Sequence, residues 1–149
     1  MGYFPILNQI ENNNITHNKR DGIRLSYANN TIITHNNISE NSDYGIHLRY
    51  GCNSTVIRNN TLAHNQDADA ENGGIYIDDS STSQSRNNTI IENEIHSNDQ
   101  HGVYIYGSFN NTVNQNTISN HTYGINLRLA DNNTFIENNA LRNLTKVME

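Results

Sequence analysis

The chain has 149 residues, enough for one domain, with a formal net charge of −6 and only two lysines, Lys19 and Lys146. The lack of any basic run argues against nucleic acid as a partner, and the solitary Cys52 rules out a disulfide framework or a cysteine-built zinc site. No apolar run approaches the length of a membrane span.

Asparagine occurs 30 times, and a bias of that size can signal disorder. Here, however, the asparagines keep register with Ile, Leu and Val, which a disordered tract has no reason to do. The opening stretch, Met1 to Ile10, has neither the charged start nor the long apolar core of a signal peptide. From Ile10 onward one unit repeats: aliphatic-x-x-Asn-x-aliphatic, a second Asn, then Gly-aliphatic-x-aliphatic. Its asparagine falls at Asn13, Asn36, Asn60, Asn93, Asn116 and Asn139, with steps of 23, 24, 33, 23 and 23 residues.

Four aliphatic columns accompany that ruler. Ile10, Ile33, Ile57, Ile90, Val113 and Ile136 precede it by three residues. Ile15, Ile38, Leu62, Ile95, Ile118 and Leu141 follow it by two. After Gly22, Gly45, Gly74, Gly102 and Gly124 come Ile23, Ile46, Ile75, Val103 and Ile125, then Leu25, Leu48, Ile77, Ile105 and Leu127. No run has the length or the 3.6-residue period of a helix.

Short strands recurring every 23 residues are best satisfied by coiling, each turn pairing in parallel with the last about 4.8 Å away. A Greek-key sandwich would not require the same residue at the same corner each time. The predicted fold is all-β: a right-handed parallel β-helix of six turns forming one domain over residues 1–149, read as a fragment of a longer chain or an oligomer.

Three corner columns of asparagine are expected: the ruler itself; Asn18, Asn41, Asn65, Asn98, Asn120 and Asn143; and Asn30, Asn88, Asn111 and Asn133. Asparagine suits such corners because it tolerates the left-handed backbone region and its amide can bond up and down a stack. The Asn-x-Ser/Thr sequons, Asn53 and Asn87 among them, are by-products of this pattern.

The third turn carries ten extra residues, divided between Gln66 to Gly73 and Asp78 to Asn88, on either side of one strand. Solenoids accept insertions that loop outward, often on a binding face. The outward residues of the glycine-led strands read Arg24, His47, Tyr76, Tyr104 and Asn126, then Ser26, Arg49, Asp78, Tyr106 and Arg128. Asp21, Tyr44, His101 and Tyr123 lie just before the glycines. Tyrosine rings can stack on pyranose faces, and arginine pairs bidentately with uronate carboxylates. This pattern predicts polysaccharide binding through Arg24, His47, Arg49, Tyr76, Asp78, His101, Tyr104, Tyr106 and Arg128. The last turn keeps the core columns but has no Gly-Ile-x-Leu after Asn143. Uncapped parallel edges predict self-association through the ends of the coil.

Runs such as Asn110-Asn111-Thr112-Val113 to Gly124-Ile125-Asn126-Leu127 resemble the β-helix repeats of the NosD-like, carbohydrate-binding and sugar-hydrolase families of archaeal and bacterial surface proteins. The resemblance covers nearly the whole chain and implies an extracellular or cell-surface home. Those families include polysaccharide lyases, epimerases, phage tailspikes and plain surface spacers. Three readings therefore stand: a carbohydrate-interacting module, a non-catalytic structural spacer, and a uronate lyase or epimerase. In the third, His47, Arg49, Tyr76, Asp78 and Tyr104 would supply base, carboxylate clamp and acid.

Two metals come into question. The loop Asp67-Ala68-Asp69-Ala70-Glu71-Asn72-Gly73 resembles a Ca²⁺ loop, with Asp67, Asp69, Glu71 and the downstream Asp78 as candidate ligands. It departs from that type at Glu71 and Asn72, and a solvated acidic loop is the alternative. The NosD-like resemblance implies copper, but His17 and His64 fall two turns apart and no soft ligand joins His47, Asp78 and His101.

Overall fold

The structure, a computed structural model, describes residues 7–66, 72–79 and 83–144. The strands follow one another as short rungs. The first turn holds β1 (Asn8–Glu11), β2 (Asn14–Thr16) and β3 (Ile23–Ser26). The second holds β4 (Thr31–Thr34), β5 (Asn37–Ser39) and β6 (Ile46–Arg49), and the third β7 (Val56–Arg58), β8 (Thr61–Ala63) and β9 (Gly73–Asp78). The fourth holds β10 (Thr89–Ile91), β11 (Glu94–His96) and β12 (His101–Tyr106), and the fifth β13 (Thr112–Asn114), β14 (Thr117–Ser119) and β15 (Tyr123–Arg128). The last is β16 (Thr134–Ile136) and β17 (Asn139–Leu141).

Every third strand pairs in parallel with its counterpart one turn away. Two sheets of six strands result, β1-β4-β7-β10-β13-β16 and β2-β5-β8-β11-β14-β17, and one of five, β3-β6-β9-β12-β15. Alternation sends one aliphatic column of each sheet inward. The middle of each column, such as Ile33, Ile57 and Ile90 or Ile38, Leu62 and Ile95, is fully buried. A further inward column of small side chains, Ala28, Cys52, Ser85, Ser108 and Ala130, lines the tight corner after the five-stranded sheet. Ser85 Oγ there accepts the Cys52 N–H at 3.1 Å, and Ser108 Oγ donates to Ser85 O.

The asparagines form the expected ladders. Asn36, Asn60, Asn93 and Asn116 are buried, and each Nδ2 donates to the Oδ1 one turn on at 2.9–3.0 Å. The same Oδ1 atoms accept the backbone N–H of the preceding asparagine, as Asn116 Oδ1 does from Asn93 N at 2.9 Å.

Four expectations require correction. The left-handed positions are not the ladder asparagines but the residues just before them. These are Asn12, His35, Asn59, Glu92, Gln115 and Glu137 in the first column, and His17, Glu40, His64, Ser97, Asn120 and Arg142 in the second, with φ from 51° to 61°. The corner thus tolerates many side chains because they point into solvent, whereas the next residue must carry an amide.

The last step of the ruler is 22 residues, because Asn116 bonds Asn138, not Asn139. Phe135 and Ala140 accordingly continue the core columns, and Ile136 and Leu141 are turned outward, 45% and 47% exposed. In the second ladder the fifth position is His121, not Asn120. It sits between Asn98 Nδ2 (3.3 Å from Nε2) and Asn143 Oδ1 (3.2 Å from Nδ1). In the third, Asn88, Asn111 and Asn133 stack, but Thr31 and Thr55 hold the two preceding turns, and Asn30 is the left-handed residue before Thr31. Thr55 N donates to Asn88 Oδ1 at 2.9 Å. Adjacent candidates, Asn138-Asn139 and Asn120-His121 among them, made the choices ambiguous, and a one-residue slip inverts every side chain.

The 33-residue turn keeps its strands in register. Ile57 pairs with Ile90, and Ile75 lies between Ile46 and Val103, so both insertions fall outside the strands.

Candidate functional site

The outer face of the five-stranded sheet brings the predicted residues together. Arg24, His47, Tyr76, Tyr104 and Asn126 are register partners on β3, β6, β9, β12 and β15. Asp78, Tyr106 and Arg128 form the next row on β9, β12 and β15, while Arg49 pairs with Ser26 at the other end. Parallel register sets aromatic rings one strand spacing apart, close enough to stack. Tyr44 stacks on Tyr76 (centroids 4.6 Å apart), His47 on Tyr76 (4.8 Å), Tyr76 on Tyr104 (4.9 Å), Tyr104 on His101 (4.6 Å) and His101 on Tyr123 (5.3 Å).

This stack has a consequence that outward alternation alone did not reveal. Each ring covers its neighbour, so Tyr44, His47, His101 and Tyr104 are buried although they point away from the core, Tyr104 with 3% of its surface exposed. Tyr76 and Tyr106 are half-buried, and Arg24 and Arg128 are exposed.

A charged cluster closes one end of the stack. Asp21, on the turn before Gly22, accepts a hydrogen bond from Arg24 Nε and one from the backbone of Tyr44 at 3.2 Å. His47 lies between two carboxylates, with Nδ1 3.6 Å from Asp21 Oδ2 and Nε2 3.5 Å from Asp78 Oδ2. Those separations exceed good hydrogen bonds, so the attraction is chiefly charge on charge. Burial is the largest single influence on His47 and favours the neutral ring. The two carboxylates together outweigh it and raise the pKa above the ordinary value. Burial likewise opposes the charged Asp21, but His47 and Arg24 prevail and hold its carboxyl below the usual range. His101 has no such partner among the described residues, and burial lowers its pKa to about 4.

Arg49 reaches no carboxylate among the described residues. Its guanidinium lies 3.7 Å over the ring of Tyr50, and Arg128 sits 5.6 Å from the Tyr106 ring. Of the calcium candidates, Asp67, Asp69 and Glu71 lie outside the described residues, and Asp78 is turned to His47. Among the described residues, no three His, Cys, Asp or Glu side chains group as a metal site.

A second feature escaped the sequence reading. At the corner following β3 and β6, an open cleft of about 430 Å³ is lined by Tyr27, Asn29, Tyr50, Gly51, Asn53, Ser83, Gln84 and Arg86. Tyr27 and Tyr50 both occupy left-handed positions, one turn apart, with ring centroids 5.5 Å apart. The signal was present: tyrosine directly follows the glycine-led strand in two successive turns, 23 residues apart.

No helix among the described residues is long and apolar enough to cross a membrane. The sequence profile of the family described as right handed beta helix region matches residues 7–141, and the chain belongs to that family. No curated protein matches the sequence. Among solved structures the chain is similar to the A-modules of two Azotobacter vinelandii mannuronan C-5 epimerases. These are AlgE4 (TM-score 0.78, 17% identity, 89% of this chain and 35% of that one) and AlgE6 (0.78, 22%, 95% and 37%). It is similar also to the periplasmic alginate epimerase AlgG (0.69, 16%, 89% and 39%). The chain spans just over a third of the length of these structures, and at such identities the likeness is one of fold.

Proposed function

We propose that this β-helix is a carbohydrate-interacting module of a surface or secreted protein, engaging a polysaccharide along the outer face of β3, β6, β9, β12 and β15. The observation that carries the reading is the unbroken strip of rings from Tyr44 to Tyr123, bordered by Arg24, Arg49 and Arg128. The parts of the strip that stay exposed, at Tyr76 and Tyr106 above all, together with the neighbouring guanidinium groups suit sugar rings and their acidic substituents. The fold neighbours support a polymeric substrate, since their names place them on mannuronan and alginate. The test is a binding screen against acidic and neutral polysaccharides, run with Ca²⁺ and with EDTA, using Tyr76→Ala and Arg128→Gln as face variants. Binding that both variants weaken supports the face, and loss of binding in EDTA supports the acidic loop. Absence of binding to every polymer would leave the structural spacer as the better account.

A second reading, uronate epimerisation or elimination, is favoured by His47 alone. Held toward its protonated form by Asp21 and Asp78 and stacked on Tyr76, it is suited to donate a proton rather than to abstract one. Solvent deuterium appearing at C5 of a uronate oligomer, lost in His47→Gln, is the expected signature. No exchange over prolonged incubation would reject it.

A further inference from the structure

The corner cleft has a chemistry different from that of the sheet face. The face mixes cations with Asp21, Asp43 and Asp78, and of its two buried imidazoles, His47 is already engaged by Asp21 and Asp78. The cleft, in a chain of net charge −6, is lined by no carboxylate among the described residues. Among the described residues its one charged side chain is Arg86, which has no carboxylate partner among them.

The geometry around Arg86 is fixed. Its backbone bridges Phe109 on the next turn, its N–H donates to Asn53 Oδ1 at 2.9 Å, and its guanidinium lies 5.8 Å from the Phe109 ring. Asn53 N–H donates in turn to Asn29 Oδ1 at 3.0 Å. These bonds use the amide oxygens and leave Asn29 Nδ2 as a donor at the cleft. The apolar wall comes from Tyr27, 66% exposed, and from Tyr50, one of whose faces Arg49 already covers. The volume suits one or two sugar rings and falls at the lower end of ordinary ligand sites.

We propose that this cleft holds one uronate unit of an acidic polysaccharide, with the carboxylate on Arg86 and the sugar's C–H face against Tyr27. A guanidinium that faces solvent across a carboxylate-free wall favours an anion, and the adjacent exposed ring favours a pyranose over a bare ion. The proposal rests on the reading that the protein engages polysaccharide, and it specifies where along the corner the acidic group is read.

The test compares tetragalacturonate with its fully methyl-esterified form, which keeps the ring but removes the charge. Calorimetric titration is run on the full chain and on Arg86→Gln, Arg86→Lys and Tyr27→Ala, each first shown to melt as the parent does. Arg58→Gln, exposed on β7 and outside both surfaces, serves as control. The parent is expected to bind the acid at least about tenfold more tightly than the ester. Arg86→Gln should abolish that preference, Arg86→Lys restore part of it, and Tyr27→Ala weaken both forms while keeping the ratio. Binding in which acid and ester are equivalent, or a preference that survives Arg86→Gln, overturns the cleft and leaves the sheet-face reading standing. Failure of the parent to bind either form overturns the cleft for this sugar, while the wider polymer screen separately decides the sheet-face reading.

Discussion

At Asn93 one side-chain amide makes five hydrogen bonds to four neighbours. Nδ2 donates to Ile57 O (2.9 Å), Ile91 O (3.0 Å) and Asn116 Oδ1 (3.0 Å), and Oδ1 accepts from Asn60 N and Nδ2, both at 3.0 Å. All lie in the buried middle of the coil, so truncation strands several polar groups away from water. Asn93→Ala is expected to cost on the order of 2–4 kcal/mol in chemical denaturation. The same change at Asn13, exposed at the end of the ladder, should cost under about 1 kcal/mol. Equal losses would show that the ladder is not cooperative. His121 is the exception in the second ladder, accepting from Asn98 through Nε2 and donating from Nδ1 to Asn143 when neutral. Burial holds its pKa to about 4, as for His101. A folded pKa below the unfolded value near 6.5 means stability that is full above pH 6.5 and lost as pH falls toward 4. Melting temperature should therefore drop across that window. His121→Asn, which completes the ladder, should lessen the drop and change little at pH 7.5. His47 carries the opposite sign: its raised pKa adds stability that is full below pH 6.5 and fades as pH rises through the folded value. His47→Gln should thus flatten the alkaline side of the profile.

The glycine-led strands show what close packing demands of an element. At Gly74 an added methyl would lie 2.5 Å from Ile95 Cγ2 and 2.7 Å from the Gly102 carbonyl oxygen, and at Gly102 it would lie 2.5 Å from that of Gly124. The requirement is space, since the backbone of successive turns passes directly over these positions. Gly74→Ala is expected to destabilise by about 1–3 kcal/mol or more, measured by denaturant midpoint, because overpacking here meets backbone. The aromatic strip is an element-scale property too. Tyr104, buried between Tyr76 and His101, behaves as packing, so Tyr104→Ala should cost roughly 3 kcal/mol of stability. Tyr76→Ala, half-buried, should cost less and is the cleaner probe of binding. The sequence placed both rings outside the core correctly but treated them alike. Alternation tells which way a residue points, and only the neighbouring turns tell what covers it.

Across the whole molecule, stability is a sum over turns and their interfaces. The central columns are fully buried, whereas Ile10, Ile15, Ile125, Leu127 and Phe135 in the outer turns are only partly covered. Hydrogen exchange should therefore protect β7, β8, β10 and β11 most strongly and β1, β2, β16 and β17 least. Uniform protection would indicate that the coil opens only as one unit.

Sequence by itself determined the coil: one aliphatic per column, a glycine where turns approach, and an asparagine at each corner admit only parallel stacking. It also located the third-turn insertions and the residues that share the outer sheet face. Three matters waited for the tertiary structure. The register of the last turn was decided by Phe135 filling the column that Ile136 could equally have filled. The left-handed corners were decided by backbone closure, which fixes φ at the residue before each amide whatever its side chain. The cleft came from Tyr27, Asn53 and Arg86, on three different turns, and such a grouping exists only once 23- and 33-residue steps are coiled onto one edge. Periodicity records which column a residue occupies, but burial and charge arise between columns, where distances depend on the closed coil.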